Sequence, residues 1–88
     1  MTERTVQVVN PLGLHARPAA QLVRLASGYQ AHVQLERDGM VVNGKSIMGV
    51  MMLAAECGSS LVIRADGGDE SAAVDAIVAL VGRGFDET

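Results

Sequence analysis

The sequence predicts an α+β fold in which three helices cover one face of a four-stranded antiparallel sheet. The first observation is that apolar spacing alternates between the periods of strands and helices in the order β-α-β-β-α-β-α. The second is Asp38-Gly39, a strong signal for a tight turn between two short strands. The third is the length of 88 residues, which suits one domain over 1–88 with a single modest core.

The first elements are a strand and a helix. The β-branched run Thr5–Val9 predicts the strand, which Asn10-Pro11 ends. The helix is predicted over Ala16–Ser27, because apolar residues recur there at the i, i+3, i+4, i+7 spacing of one helical face. Gly28 follows as a C-terminal stop. The apolar face consists of Ala19, Leu22, Val23 and Ala26.

The hairpin and a short helix come next. Alternation of Val33 and Leu35 with polar neighbours predicts a half-buried second strand, and its partner follows at Met40–Asn43. A second helix is expected over Ile47–Ala55, opened by Ser46 and closed near Gly58.

A fourth strand and a last helix complete the predicted fold. The strand spans Ser60–Asp66 and turns its apolar residues one way. The helix begins at Asp69 or Glu70 and ends at Gly82 and Gly84. The inward residues of the strand are Leu61, Ile63 and Ala65, and the apolar face of the helix is Val74, Ile77, Val78 and Val81.

Composition narrows the classes of function. A net charge of −3 and a pI near 5.1, without a basic cluster, argue against nucleic-acid binding. No signal-peptide core or membrane-length apolar run is present, so a cytoplasmic protein without membrane insertion is expected, with a monomer as the simplest state. The single Cys57 excludes an internal disulfide and is expected to be a buried small hydrophobe.

The stretch Gly13–Pro18 carries the strongest functional signal. Pro18 is tolerated only in the first helical turn, which places His15 at or beside the N-cap. Unpaired N–H groups and the helix dipole attract anions to such an end, and Arg17 adds a guanidinium fork suited to phosphate oxygens. We interpret His15 as a nucleophile that carries a phosphoryl group, against the alternative of a structural or merely exposed histidine.

Other uses of His15 have less support. No serine or cysteine lies nearby in sequence with a supporting acid, which disfavours a catalytic triad and a small hydrolase. The only other histidine, His32, alternates with polar residues on the solvent side of a strand, and no metal-ligand spacing exists. No metal or cofactor is therefore expected.

Ser46 is the second candidate residue. It suits the N-cap of the helix that begins at Ile47, and a phosphate added at an N-cap is electrostatically tolerated. That helix is apolar all round, so we expect Ile47, Met48 and Met51 to stay exposed as a partner-binding patch rather than to fill the core.

Two basic residues are expected to contribute to partner binding as well. Arg24 and Lys45 are expected to be solvated. If the starts of the first two helices lie close together, these residues and Arg17 would form a basic rim that steers acidic partners.

The chain resembles the HPr family of phosphocarrier proteins of the bacterial phosphotransferase system over nearly its whole length. Gly13-Leu14-His15-Ala16-Arg17-Pro18-Ala19-Ala20 matches the active-site signature, and Gly44-Lys45-Ser46-Ile47-Met48-Gly49-Val50-Met51 matches the regulatory-serine signature. The resemblance implies an open-faced β-sandwich with strand order 1-4-2-3. It also implies that His15 receives a phosphoryl group on Nδ1 from phosphorylated Enzyme I and passes it to an enzyme IIA-type acceptor.

The resemblance implies roles for other residues as well. Arg17 would stabilise the phosphoryl group, Ser46 would be modified by an HPr kinase/phosphorylase where the host has one, and the helix after Ser46 would dock partners. The protein would then be a relay, not an enzyme with turnover of its own.

The branch of the family stays open. Position 12 is leucine where sugar-system members commonly carry Asn or Ser, and both Asn10-x-Leu12-Gly13 and Gly84-Phe85-Asp86-Glu87 look closer to the nitrogen-related branch, NPr. Lys45–Met51, in contrast, is close to forms that HPr kinase recognises. The alternative function is a regulatory binding module, of the NPr branch or a transcriptional co-regulator, that acts mainly through the Ser46 face.

Overall fold

The computed structural model describes residues 1–87. Its strands are β1 (Thr2–Gln7), β2 (His32–Arg37), β3 (Met40–Asn43) and β4 (Ser60–Asp66), and its helices are α1 (Ala16–Ser27), α2 (Ile47–Met52) and α3 (Glu70–Gly82). A single 3₁₀ turn, Gly84–Asp86, follows α3. The sheet has the order β1-β4-β2-β3, and all of its neighbouring strands are antiparallel. The predicted α+β class, element order and strand order are confirmed.

The core lies between the sheet and the helices. Val33 of β2 pairs with Ala65 of β4, and Leu35 pairs with Ile63, so the inward sets of the two central strands face the helices together. All of these side chains are buried, as is the predicted apolar face of α1. Alternation in the sequence therefore predicted correctly which strand face is covered.

The opposite face of the sheet is open to solvent. On it, Arg64 of β4 reaches Glu3 of β1 and Glu36 of β2, each with an N···O distance of 2.6 Å. Hydrogen bonds to the two carboxylates raise the pKa of the Arg64 guanidinium above its usual range. One arginine thus links three adjacent strands on the solvent side.

The boundaries predicted for β1 are wrong. The strand covers Thr2–Gln7 rather than Thr5–Val9. Its first residues are polar because β1 is an edge strand on an open-faced sheet, so they need no apolar alternation. Val8 lies beyond the strand, although its N–H still donates to the Ser59 carbonyl at 2.8 Å.

The C-terminal end predicted for α2 is also wrong. The helix stops at Met52 instead of Ala55, and Ala54 has a left-handed φ of 48°. This reversal turns Ala55 inward, where its carbonyl accepts the N–H of Leu14 at 2.9 Å. The contact with the loop before α1, not local propensity, ends the helix.

Cys57 is exposed, which corrects the expectation of a buried thiol. Because α2 ends early, Cys57 lies in the loop before β4 rather than at the end of a helix. Its Sγ lies 3.6 Å from the Val9 carbonyl oxygen. Among residues 1–87, no helix combines the length and apolar character needed to cross a bilayer.

The contacts of Glu70, the first residue of α3, are expected to make the stability of the fold depend on pH in the acid range. Its carboxylate accepts hydrogen bonds from the Thr2 hydroxyl (2.6 Å) and the Gly67 N–H (3.2 Å), and lies 3.0 Å from the Met1 ammonium. These contacts lower the pKa of Glu70 from 4.5 to about 2. Because the folded pKa lies below the unfolded one, the stabilisation is complete above pH 4.5 and is lost as the pH falls toward 2.

We therefore expect Glu70→Gln to flatten the acid limb of the stability profile. Thermal melting of both proteins between pH 7 and pH 2 measures this. The melting temperature of the wild type should approach that of the variant as the pH falls from 4.5 to about 2. A constant gap over that interval would show that Glu70 does not titrate differently in the folded and unfolded states.

Candidate functional site

The loop before α1 is held by a turn and by a close backbone approach. The Gly13 N–H donates to the Asn10 carbonyl at 3.1 Å, which closes a turn over Asn10–Gly13 with proline at its second position. Gly13 has φ +66°, and a Cβ placed there would lie 2.2 Å from the Ala55 carbonyl oxygen. Leu14 is buried next to it. Gly13 and Leu14 together determine where the next residue enters the helix.

That next residue is His15, which is the N-cap of α1, as predicted. Its side chain is 36% exposed and makes no capping hydrogen bond to the first turn. The N–H groups of Ala16 and Arg17 have no intrahelical acceptor at this end, so they remain available to an anion beside the ring.

One ring nitrogen of His15 has a defined partner. Nε2 lies 3.1 Å from Oε2 of Glu87. A carboxylate only accepts hydrogen bonds, so Nε2 carries the proton in this contact. Nδ1 is then the nitrogen with the free lone pair. The geometry thus gives His15 one tethered nitrogen and one nucleophilic nitrogen.

Glu87 is the residue of this site that sequence reasoning missed. It is 72 positions from His15, and no local pattern connects the two. Its other oxygen, Oε1, accepts a hydrogen bond from Nδ2 of Asn10 at 3.1 Å. The only signal in the sequence was that the Asn10 and Gly84–Glu87 motifs both resemble the NPr branch, which does not say that they meet.

Arg17 is exposed, and it lines a depression of about 510 Å³ beside the site. The depression is also lined by Pro11, Leu12, Gln21 and the residues that follow α3. Within residues 1–87 the Arg17 guanidinium takes part in no ion pair, so it is available to an external anion.

Ser46 caps α2, as predicted. Its hydroxyl oxygen accepts the Gly49 N–H at 3.1 Å. The helix that follows exposes Ile47 (45%), Met48 (75%) and Met51 (42%), while Val50 is buried. The expected exposure of the apolar residues is therefore confirmed. Met52, 64% exposed, belongs to the same surface and was not predicted. We call these four exposed residues the α2 patch.

The conditional prediction of one basic rim is not met. The Lys45 ammonium donates to the Tyr29 carbonyl at 2.7 Å, beyond the C-terminal end of α1, whereas the residue after α2 that contacts the start of α1 is Ala55. The two helices therefore run antiparallel, and their starts lie at opposite ends of the pair. Arg24, in the last turn of α1, is on the Lys45 side, away from Arg17.

Comparison with known proteins first defines the class. Residues 2–83 match the family model described as "PTS HPr component phosphorylation site". The fold and the histidine at the start of α1 both agree with the class that this description defines, a phosphorylated component of a phosphotransferase system.

Individual relatives and solved structures support the same assignment. The phosphocarrier protein HPr of Cupriavidus necator is 47% identical over 99% of this chain and 98% of its own. The crystal structure of HPr-C-His from Thermoanaerobacter tengcongensis is 42% identical, covers 100% of this chain and 99% of that chain, and has a TM-score of 0.96. A crystal structure of an HPr dimer from the same organism has a TM-score of 0.79, with 42% identity over 99% and 100% of the two chains. The chain belongs to the HPr family of phosphocarrier proteins.

Proposed function

We propose that the protein accepts a phosphoryl group on Nδ1 of His15 from phosphorylated Enzyme I and passes it to an enzyme IIA-type acceptor. The observation that carries the proposal is the contact between Nε2 and Glu87, which leaves the Nδ1 lone pair free at the N-terminus of α1. The protein acts as a carrier in the cytoplasm, without turnover of its own. We further propose that it is one domain and works as a monomer.

The surroundings of His15 suit the phosphorylated histidine as well as the attack of Nδ1 on phosphorus. The N–H groups of Ala16 and Arg17 at the start of α1 have no intrahelical acceptor and can donate to phosphoryl oxygens. Arg17 can add a charge-assisted hydrogen bond to the same oxygens. These groups stabilise a dianion next to the ring without a metal or cofactor.

Incubation with phosphoenolpyruvate and Enzyme I tests the proposal. Mass spectrometry should show one added phosphoryl group that is labile in acid and stable in base, as expected for a phosphorus–nitrogen bond. An unmodified wild-type protein, under conditions in which a known HPr is fully phosphorylated, would refute the carrier function.

Ser46 provides a regulatory prediction. Ser46→Asp keeps an N-cap acceptor and adds a negative charge next to the α2 patch. We expect phosphoryl transfer from Enzyme I to be slowed roughly tenfold, because charge next to a docking surface alters association. The measurement is the rate of phosphoryl transfer as the concentration of the variant is raised.

Ser46→Ala is the matched control. It removes the cap, at a cost of about 1 kcal/mol in folding free energy, but adds no charge. Its rate of transfer should stay near that of the wild type. Equal slowing of both variants would show that Ser46 acts only through helix capping.

A second candidate is a regulatory binding module, favoured by the exposure of the α2 patch. In that function the patch docks on a protein partner and His15 is incidental. Such a protein would bind its partner without ever accepting a phosphoryl group, so the phosphorylation experiment separates the two candidates.

A further inference from the structure

Two sequence motifs that the carrier function does not by itself require meet at the His15 ring. One contains Asn10, at the end of the segment after β1, and the other contains Glu87, after α3. Glu87 bridges them, since Oε1 accepts from Asn10 Nδ2 and Oε2 contacts His15 Nε2, each at 3.1 Å. The two motifs therefore form one chain of hydrogen bonds that ends on the imidazole.

The carboxylate is held there by an unusual backbone turn. Gly84, Phe85 and Asp86 all have positive φ, of 70°, 58° and 59°. Phe85 is 1% exposed, so its ring anchors the turn in the core, and Arg83 bonds Asp86 at 2.8 Å. A left-handed conformation at two non-glycine residues persists only where surrounding contacts enforce it. These contacts direct the chain so that Glu87 reaches His15.

Asn10 fixes the same carboxylate from the other side. The residue is 2% exposed, and Nδ2 donates both to the Gly13 carbonyl at 2.7 Å and to Glu87. Both partners are acceptors, so the amide must present its NH₂ group to them. Asn10 thus ties the loop that carries His15 to the carboxylate that contacts its ring.

We propose that Asn10 and Glu87 are positioning residues that hold His15 in the tautomer with a free Nδ1 and stabilise the positive charge that forms on the ring during phosphoryl transfer. This inference rests on the proposed carrier function. The Nδ1 lone pair forms the bond to phosphorus, while the bond from phosphorus to the donor atom breaks and its electron pair leaves on the donor. The ring becomes cationic, and its Nε2–H continues to donate to the Glu87 carboxylate. Onward transfer returns the N–P electron pair to Nδ1 and restores the neutral ring.

The side chain at position 12 is consistent with this proposal. Leu12 is 75% exposed and has no side-chain donor for the phosphoryl oxygens. In this chain the added polar support is on Nε2, the opposite side of the ring.

Glu87→Ala tests the inference, and two variants that also lose one negative charge serve as its controls. We expect phosphoryl acceptance from Enzyme I to slow about tenfold, the scale of one lost charge-assisted hydrogen bond. Glu87→Gln keeps an acceptor for Nε2–H but no charge, so its loss should be smaller, about threefold. Asp75→Asn removes one negative charge from an exposed carboxylate on α3 and should match the wild type.

The ¹⁵N NMR spectrum of the His15 ring supplies a readout that a purely structural role would not change. The neutral wild-type ring should show a protonated Nε2 and an unprotonated Nδ1. Glu87→Ala should show a mixture of tautomers, and Glu87→Gln should retain the wild-type pattern. Asn10→Asp replaces the donor with a carboxylate that repels Glu87, and it should shift the ring as Glu87→Ala does.

The outcomes separate this inference from the carrier function. A wild type that accepts no phosphoryl group refutes the carrier function itself. A wild type that accepts it, with Glu87→Ala within twofold of its rate or with an unchanged ring spectrum, refutes the positioning role alone. Glu87→Ala decides the matter if Asn10→Asp does not fold.

Discussion

Replacing His15 with alanine is expected to abolish phosphoryl acceptance while leaving the fold intact. The imidazole is 36% exposed and makes no capping hydrogen bond to α1, so its removal costs the contact with Glu87 and the packing of its covered part. Such a change at a helix end lowers the free energy of unfolding by about 1 kcal/mol. Mass spectrometry after incubation with Enzyme I and phosphoenolpyruvate reports the first effect, and circular dichroism with thermal melting reports the second.

His32→Ala is the matched control, since His32 is the other histidine and is exposed on β2. It should accept one phosphoryl group at the wild-type rate. Residual modification of His15→Ala would place the acceptor elsewhere. A fall of more than about 10 °C in its melting temperature would instead make His15 a structural residue.

Replacing Gly13 with alanine is expected to cause the largest loss of stability among the variants considered. The new Cβ would lie 2.2 Å from the Ala55 carbonyl oxygen, which is rigid backbone, and φ is +66°. The left-handed conformation costs about 1–2 kcal/mol with a side chain, and displacement of the backbone adds a similar amount. We expect a loss of about 3 kcal/mol, or about 15 °C in melting temperature for a domain of this size.

Two control variants at other glycines separate the conformational cost from the cost of backbone displacement. Gly39 has φ +86°, and a Cβ added to it would meet nothing within 4 Å, so Gly39→Ala should lose only the conformational part, about 1 kcal/mol. Gly68 has neither the positive φ nor a close neighbour, and Gly68→Ala should be nearly neutral. If Gly13→Ala and Gly39→Ala are equally destabilised, the loop before α1 is not held against Ala55. Slower phosphoryl acceptance by Gly13→Ala, measured below its melting temperature, would follow from displacement of His15.

The parts of the fold with strong local signals could be predicted from the sequence. The bounds of α1 and β4 are as expected, because an amphipathic face with a proline start, or strict alternation, leaves little freedom. The N-caps His15 and Ser46 were located by the same kind of signal. The positions of these two helix starts therefore follow from local sequence.

Other features depend on contacts between distant segments. The end of α2 is set by the bond from Leu14 to Ala55, and the polar start of β1 is permitted by the open face of the sheet. The antiparallel arrangement of α1 and α2 and the approach of Glu87 to His15 are likewise tertiary. No window of sequence contains both partners of such a contact, so the missed part of the site is the part built from the two ends of the chain.

The antiparallel packing of α1 and α2 has a consequence for how binding partners share this small surface. The 12 residues of α1 span about 18 Å, and this length separates the His15 end of the helix pair from the Ser46 end. A standard interface covers about 800 Å² per partner, roughly 28 Å across and about a sixth of the 4631 Å² available here. A partner centred on His15 and a partner centred on Ser46 would therefore have overlapping footprints. Under the proposed carrier function, partners that dock over these two ends would compete with one another, and the relay would proceed one encounter at a time.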